Sequence, residues 1–421
     1  MDNIISGKVV MIYDYGNYFP VAITFAKTFR TVFYYTPYVI NGYPEHAPYD
    51  FGRNVENVIC INEYGSIINQ VDMVFFCDCH EPEKQQFFQD MGIRVFGSRM
   101  ASVIENNRHL LKQTLESVGL PVSDYKVVTG IDELSAALKE IDHGYVKSNI
   151  RGDGETFEHE DYRLTKYEID EMRANLGAFQ TQPKYLIDSY IDGIAEVGID
   201  TFVIDGKYPD MVSAGIEVKD CCYISKLIPY QNVPRQVKDV TDKLAPIFSD
   251  YGYKGWFSDE VIIGKDMKGY LCDATCRLGQ PPTDIISETI KNFAQCCYDV
   301  SSGIVPTLKY DGTWGVQFII KSRMAEERVS PIIVPDEFKS KVKIKNLVID
   351  EDGVWCYVPN KVAMCEIGSV IGYGYTFDEA VEMAEEVARS IKGIDISIKT
   401  ADIKKAQDSL SKLNRNGIKF I

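Results

Sequence analysis

The chain is short of positive charge. Its 421 residues hold 45 lysines and arginines against 61 aspartates and glutamates, a formal net charge of −16 at pH 7. That balance excludes nucleic-acid binding through a general basic surface, but not a small anion held in a local basic pocket. No apolar run approaches the length of a membrane span, which argues against membrane partners. The opening MDNIISGKVVMIYDYG lacks the charged and apolar regions of a secretory leader. Eleven cysteines, an odd number, follow no framework spacing. Together these features point to a reducing, cytoplasmic compartment. Cys77, Cys79 and His80 lack the spacing of a closed zinc site and read as a buried strand end. Internal repeats, low-complexity linkers and any triad or nucleophile-elbow signature are missing as well, so the parts are expected to pack closely.

What is present alternates. KVVMIYDY, TVFYYT, VDMVFFCD and IRVFGS read as strands, and FPVAITFAKTF and EPEKQQFFQDMG as helices. This βαβ pattern implies a largely parallel sheet. Residues 102–118 are helical by period and close on Gly119 and Pro121. KVV (126–128) and GYVKS are strands around the helix DELSAALKEI. YLIDSYI and EVGIDTFVIDGKY follow as strands, and the Asp-Gly turn in the latter makes this sheet antiparallel. Residues 234–251 form a helix, GWFSDEVIIGKDMKGYLCDAT two strands around a polar turn, and SETIKNFAQCCYDV a helix. Beyond Pro306, GVQFIIKS, NLVIDEDGVWCYV and SVIGYGY are strands. DEAVEMAEEVARSI is an amphipathic helix with Val381, Ala384, Val387, Ala388 and Ile391 on one stripe. The expected fold class is α/β and α+β. The expected domains are an N-terminal parallel α/β domain over 1–100, a central domain over 101–303 in two lobes (about 125–184 and 185–303), and a C-terminal α+β domain over 304–421.

Three constellations carry chemistry. In VKSNIRGDGETF, Lys147 ends a strand before a loop whose Gly152 and Gly154 let backbone N–H groups approach an anion. In SDEVIIGKDMKGYLCDATCRLG, Glu260 and Asp273 lie on adjacent strands of one hairpin. They could converge on magnesium, with Arg277 just beyond, suited to a carboxylate or phosphate. In YLIDSYIDGIAEVGID, Asp188 ends a strand and Glu196 opens the next; a strand edge can bond an adenine and a carboxylate a ribose. Taken singly, the same patterns also describe a surface turn and solvated strand-end acids. Their order is the informative feature: a basic helix, strand–Lys–Gly loop, acidic linker, and carboxylate hairpin ending in Arg.

That order resembles the ATP-grasp superfamily, and within it phosphoribosylamine–glycine ligase (glycinamide ribonucleotide synthetase). GSRMASVIENNRHLLKQTLESVGLPVSDY is similar to a family helix with an E-x-x-K-x-x-x-K pattern, its positions taken by Glu105, Arg108 and Lys112. Lys147 matches the strand lysine on the ATP phosphates. YLIDSYIDG resembles the linker whose backbone meets adenine, which implies cofactor-binding roles for Asp188, Tyr190 and Glu196 beside Arg108, Lys147, Gly152 and Gly154. DATCRLGQPPTD resembles E-F-N-A-R-F-G-D-P-E-T, with Asp273 at the Glu position, Thr275 at the Asn position, and Arg277 retained. SVIGYGYTFDEAVEMAEEVARSI resembles the C-terminal strand and helix.

The resemblance implies an ATP-grasp fold and an ADP-forming carboxylate–amine ligase working through an acyl phosphate. ATP and Mg2+ (or Mn2+) would be its cofactors. Glu260, Asp273 and Thr275 would be metal ligands, and Arg277 and Lys147 catalytic residues. The chain departs from the family in its first βα loop, DYGNYFP (Asp14–Pro20) in place of G-G-R-E-H, at Thr275, and at Gln280-Pro281-Pro282. These departures imply the same reaction class on a different carboxylate and amine. The alternatives are a genuine phosphoribosylamine–glycine ligase of purine biosynthesis and a non-catalytic ATP-binding protein. Open parallel sheets bind ligands at the carboxyl ends of their strands, which makes Asp14, Asn17, Cys79 and His80 candidate liners of a substrate pocket. Arg151, Asp153 and Glu155 put charge in the flap over ATP, with the expectation that it reaches the second substrate. The molecule is expected to be a monomer or homodimer.

Overall fold

The computed structural model describes residues 5–14, 16–36, 52–148, 156–359 and 365–421. The Gly152 and Gly154 flap, with Arg151, Asp153 and Glu155, lies outside the described residues.

The chain opens on strand β1 (Val9–Tyr13), helix α1 (Phe19–Ala26), β2 (Thr31–Tyr35), β3 (Val58–Ile61), β4 (Met73–Phe76), α2 (Pro82–Asp90) and β5 (Arg94–Phe96). The strands form a parallel sheet in the order β3-β2-β1-β4-β5. Every residue of β1 and β4 is buried, because helices cover both faces and these strands are unbroken apolar runs. β3, at the edge and half-exposed, has too weak an apolar signal to stand out in the sequence. The strand order reverses between β1 and β4, so Asp14 and Cys77–His80 sit at the switch point.

The periodic segment 102–118 is two helices, α3 (Ser102–Asn106) and α4 (Arg108–Ser117). Asn107 adopts an extended backbone (φ −126°, ψ 90°) and its side chain accepts from Leu110 N at 3.0 Å, capping α4. The apolar period continues across this break, which is why the sequence reads as one helix.

A small antiparallel sheet follows, built from β6 (Tyr125–Thr129), β7 (Gly144–Ser148), β8 (Thr156–His159) and β9 (Lys184–Ser189) in the order β6-β9-β7-β8. Helices α5 (Ile131–Leu138) and α6 (Tyr162–Leu176) pack against it around Val146, Ile169 and Ile187. α6 has no counterpart in the sequence reading; only Thr165, Ile169 and Met172 of its length are buried.

The largest sheet contains β10 (Gly193–Ile204), β11 (Met211–Val218), β12 (Cys222–Pro229), β13 (Lys254–Gly264) and β14 (Gly269–Thr275). The Asp205-Gly206 turn between β10 and β11 has positive φ at both residues (48° and 77°), as a two-residue hairpin requires. Helix α7 (Arg235–Asp250) packs on the sheet through Val237, Val240, Leu244 and Phe248. Helices α8 (Pro282–Thr289) and α9 (Phe293–Ser301) lead to β15 (Trp314–Lys321). β16 (Ser330–Ile333), β17 (Val342–Ile344), β18 (Leu347–Ile349), β19 (Trp355–Tyr357), β20 (Glu366–Gly374), α10 (Phe377–Ser390), β21 (Lys392–Gly393) and α11 (Ile403–Arg415) complete the chain. β12 pairs antiparallel with β15, so the sheet continues as β14-β13-β10-β11-β12-β15-β20-β17. No helix among the described residues is long and apolar enough to cross a membrane.

Candidate functional site

A cleft of about 730 Å3 lies between β7 and β9 of the small sheet, the α3–α4 junction, and the β13–β14 hairpin. Its charged walls come from the constellations read in the sequence. Glu260 and Asp273 are direct register partners across β13 and β14, so one pair of opposed residues puts two carboxylates side by side. Lys147, on β7, reaches across and donates to Cys272 O at 2.6 Å, with its ammonium 3.8 Å from Asp188 Oδ2.

The break at Asn107 directs two side chains of the linker helices onto the β14 end. Arg108 holds Asp273 with both Nη atoms, Nη2 at 3.3 Å from Oδ2. Burial works to raise the Asp273 carboxyl, but Arg108, with Lys147 and Arg277, outweighs it, and the group stays below the usual carboxylate range. Glu105 clamps the next turn: Oε1 accepts from Arg277 Nε at 2.7 Å and Oε2 from Cys276 N at 2.6 Å. Arg277 also donates to Tyr18 OH at 3.1 Å, and its Nε lies 3.8 Å from Asp78 Oδ1. Its guanidinium is therefore fixed by helix α3 and by the loops after β1 and β4 of the parallel sheet.

Asp188 lies on the cleft wall, in contact with the linker helix α4. Lys112 Nζ lies 2.9 Å from each carboxylate oxygen of Asp188, and Ser123 Oγ donates to Oδ1. Both charges are buried, so the pair ties α4 to β9 at the cleft wall, which Asp188 lines together with Ser189 and Ile191. The Tyr190 ring stacks on His143, with centroids 4.0 Å apart and planes 14° apart, and stays half-exposed.

Desolvation together with repulsion from the neighbouring Glu260 pushes the Glu196 carboxyl up to about 7. Beneath them a second cavity of about 190 Å3 opens between β10, β11, β12 and the β13–β14 end, with Thr275 on its wall. Its walls include Asp200, Glu217, Lys219 and Tyr223, none of which the sequence singles out. Asp200 accepts from Ser258 Oγ and Tyr223 OH, and burial pushes its carboxyl up to about 6. Burial likewise pushes Glu217 up to about 7. β11 and β12 carry no motif, and the successive antiparallel pairings of β13 with β10, β10 with β11 and β11 with β12 bring these residues under Glu260.

At the switch point, Asp14 is buried and accepts from Tyr18 N at 2.8 Å and from Tyr34 OH, so it ties Tyr18 to the ends of β1 and β2. Asn17 meets the β14 end through its carbonyl, 3.4 Å from Gln280 Nε2. Cys79 is fully buried and burial raises its thiol well above the usual range, whereas His80 lines the cleft. Donor atoms of Asp78, Cys79 and His80 lie within 4.8 Å of one another. Asp78 Oδ1 is nonetheless shared by Cys79 N at 2.7 Å, His80 Nε2 at 3.1 Å and Arg277, and the guanidinium supplies the cation there.

No protein-family model matches the sequence, and a search of curated proteins finds no match. Solved structures do match, over nearly the whole chain. Phosphoribosylamine–glycine ligase from Thermotoga maritima is 15% identical over 93% of this chain and 98% of its own, with a TM-score of 0.71. A biotin carboxylase from Campylobacter jejuni, in a β-γ-ATP complex, is 14% identical over 100% and 99%, with a TM-score of 0.65. An L-amino acid ligase from Bacillus licheniformis is 14% identical over 92% and 99%, with a TM-score of 0.59. All three are ATP-grasp enzymes, and with its parallel N-terminal sheet, its small antiparallel lobe over a larger antiparallel sheet, and a charged cleft between them, this chain has the ATP-grasp fold.

Proposed function

We propose that the protein is an ADP-forming, ATP-dependent carboxylate–amine ligase that works through an acyl phosphate. The observation that carries this reading is the convergence, in one cleft of an ATP-grasp fold, of Lys147, the opposed pair Glu260 and Asp273, and a clamped Arg277. In an acidic protein, Arg108, Lys147 and Arg277 all line this one cleft, where a polyphosphate would lie.

The donor set fits magnesium. Glu260 and Asp273 are opposed hard oxygen donors, with Glu196 and Glu217 nearby on the walls of the same inner cavity. Glu260 and Asp273, with Thr275 beside them, would hold the ion, which when bound would neutralise charge on the phosphates.

The chain's own residues would do the rest by position. Lys147 and Arg108 would draw the phosphates down, and the Glu105 clamp would keep Arg277 aimed at the transferring group. A substrate carboxylate oxygen attacks the γ-phosphorus, a new P–O bond forms, and the β–γ bridging bond breaks to release ADP. An amine then attacks the acyl carbon and phosphate leaves. Charge on the transferring group is met by preorganised donors, and no protein nucleophile is required.

The test is phosphate release from ATP and magnesium over a panel of carboxylates and amines. Release that requires both a carboxylate and an amine is expected. Tight ATP binding without turnover across the panel would overturn the enzymatic reading. Release only with glycine and phosphoribosylamine would return the substrate to that of the ligase with the highest structural likeness above.

A further inference from the structure

The acids beside the proposed metal position already hold a cation. Lys219 Nζ donates to Glu260 Oε1 at 3.0 Å and lies 3.7 Å from Glu217 Oε2. It borders both the main cleft and the inner cavity. Its backbone is pinned in the tight turn between β11 and β12, closed by Cys221 N donating to Val218 O at 3.0 Å, with Asp220 left-handed at φ 63°. Its side chain, in contrast, keeps 64% of its surface exposed. The backbone anchor is thus fixed, while most of the side chain lies in solvent.

We propose that Lys219 is an exchangeable counter-ion, which neutralises Glu260 while the metal is away and yields that carboxylate to the metal on loading. Charge and reach both support the exchange. A carboxylate oxygen cannot present the same lone pairs to an ammonium at hydrogen-bond distance and to a divalent ion, and the ion carries twice the charge. Glu217 stands ready to receive the displaced ammonium, which needs only to let go of Glu260 and keep the neighbour it already has. The exposed side chain makes this movement cheap, since an exposed ion pair contributes little. Lys219 is in this view a positioning residue: it stops Glu196, Glu217 and Glu260 from repelling one another apart in the empty protein.

This inference rests on Glu260 as a metal ligand, and the experiment separates the two. Mn2+ is titrated into the full-length, nucleotide-free protein and the free ion is read by electron paramagnetic resonance, for the wild type and for Lys219→Met, Lys219→Arg and Glu260→Gln, with circular dichroism to confirm folding. Lys219→Met should bind Mn2+ about fivefold more tightly, the ratio set by losing one exposed ion pair. Lys219→Arg, which keeps the competing charge, should match the wild type, and Glu260→Gln should bind more weakly. If Glu260→Gln weakens binding but Lys219→Met leaves it unchanged or weaker, the exchange is wrong and the metal position stands. If Glu260→Gln has no effect, the metal position is wrong and the exchange falls with it.

Discussion

Replacing Lys112 by Met tests how the cleft floor is held together. Lys112 and Asp188 are buried, with side chains 5% and 7% exposed. Removing the lysine leaves a carboxylate in a dry site with Ser123 and, 3.8 Å away, Lys147 as its remaining neighbours. Breaking one side of a buried pair costs about 3–5 kcal/mol. Lys147 can supply part of the lost charge, so the lower end, about 3 kcal/mol, is expected. A chain of several sheets does not unfold in one step, and a global denaturation midpoint would blur the effect. Hydrogen-exchange mass spectrometry of β9 reads it locally: a loss of about 3 kcal/mol speeds exchange roughly a hundredfold if opening of this lobe limits it. ATP affinity should fall as well, because Lys147 is drawn down onto Asp188. The double variant Lys112→Met, Asp188→Leu removes the stranded charge and should exchange more slowly than the single one. Unchanged exchange in Lys112→Met, or a double variant as labile as the single, would refute the reasoning.

The remaining predictions address the reaction centre and the inner cavity. Lys147→Ala and Asp273→Asn should each abolish ATP turnover with far-ultraviolet circular dichroism unchanged; turnover persisting in either folded variant would count against the phosphate and metal assignments. Asp200 has a carboxyl raised by burial to about 6 from an ordinary 3.8. The folded state therefore holds its proton more tightly than the unfolded chain, and this contribution is full below about pH 4 and lost as pH rises through about 6. Between about pH 5 and about pH 7 it should remove about 1 kcal/mol of stability, a slope that Asp200→Asn flattens; equal slopes for both proteins would contradict the assignment. Gly215→Ala would place a Cβ 1.9 Å from Tyr223 OH, forcing that ring off Asp200. Overpacking of this kind costs about 1–3 kcal/mol, and hydrogen exchange at β11 and β12 as slow as in the wild type would show that the cavity accommodates the methyl.

Residues close in sequence determined much of the outline. The β1 and β4 runs are apolar throughout because both sheet faces are covered, and that alone announces a parallel, helix-flanked sheet. The polar turn at 265–269 folds its two flanking strands into a hairpin, and a bulge between Glu260 and Val261 shifts the partner of Glu260 from Cys272, which the turn register would give, to Asp273. Lys147 was legible for an equally local reason, as the lysine that ends a strand just before a loop with two glycines. Tertiary structure decided what these groups touch. Whether Asp188 faces a nucleotide or Lys112 depends on how α4 packs against β9, and the α3–α4 break that aims Glu105 and Arg108 is hidden under an unbroken apolar period. Asp200, Glu217, Lys219 and Tyr223 come from three strands and a turn without any motif; only long-range antiparallel pairing carries them beneath Glu260. Periodicity and turn chemistry act over a few residues and are written in the sequence. Charge pairing across a cleft depends on distances that exist only after the sheets have closed on one another.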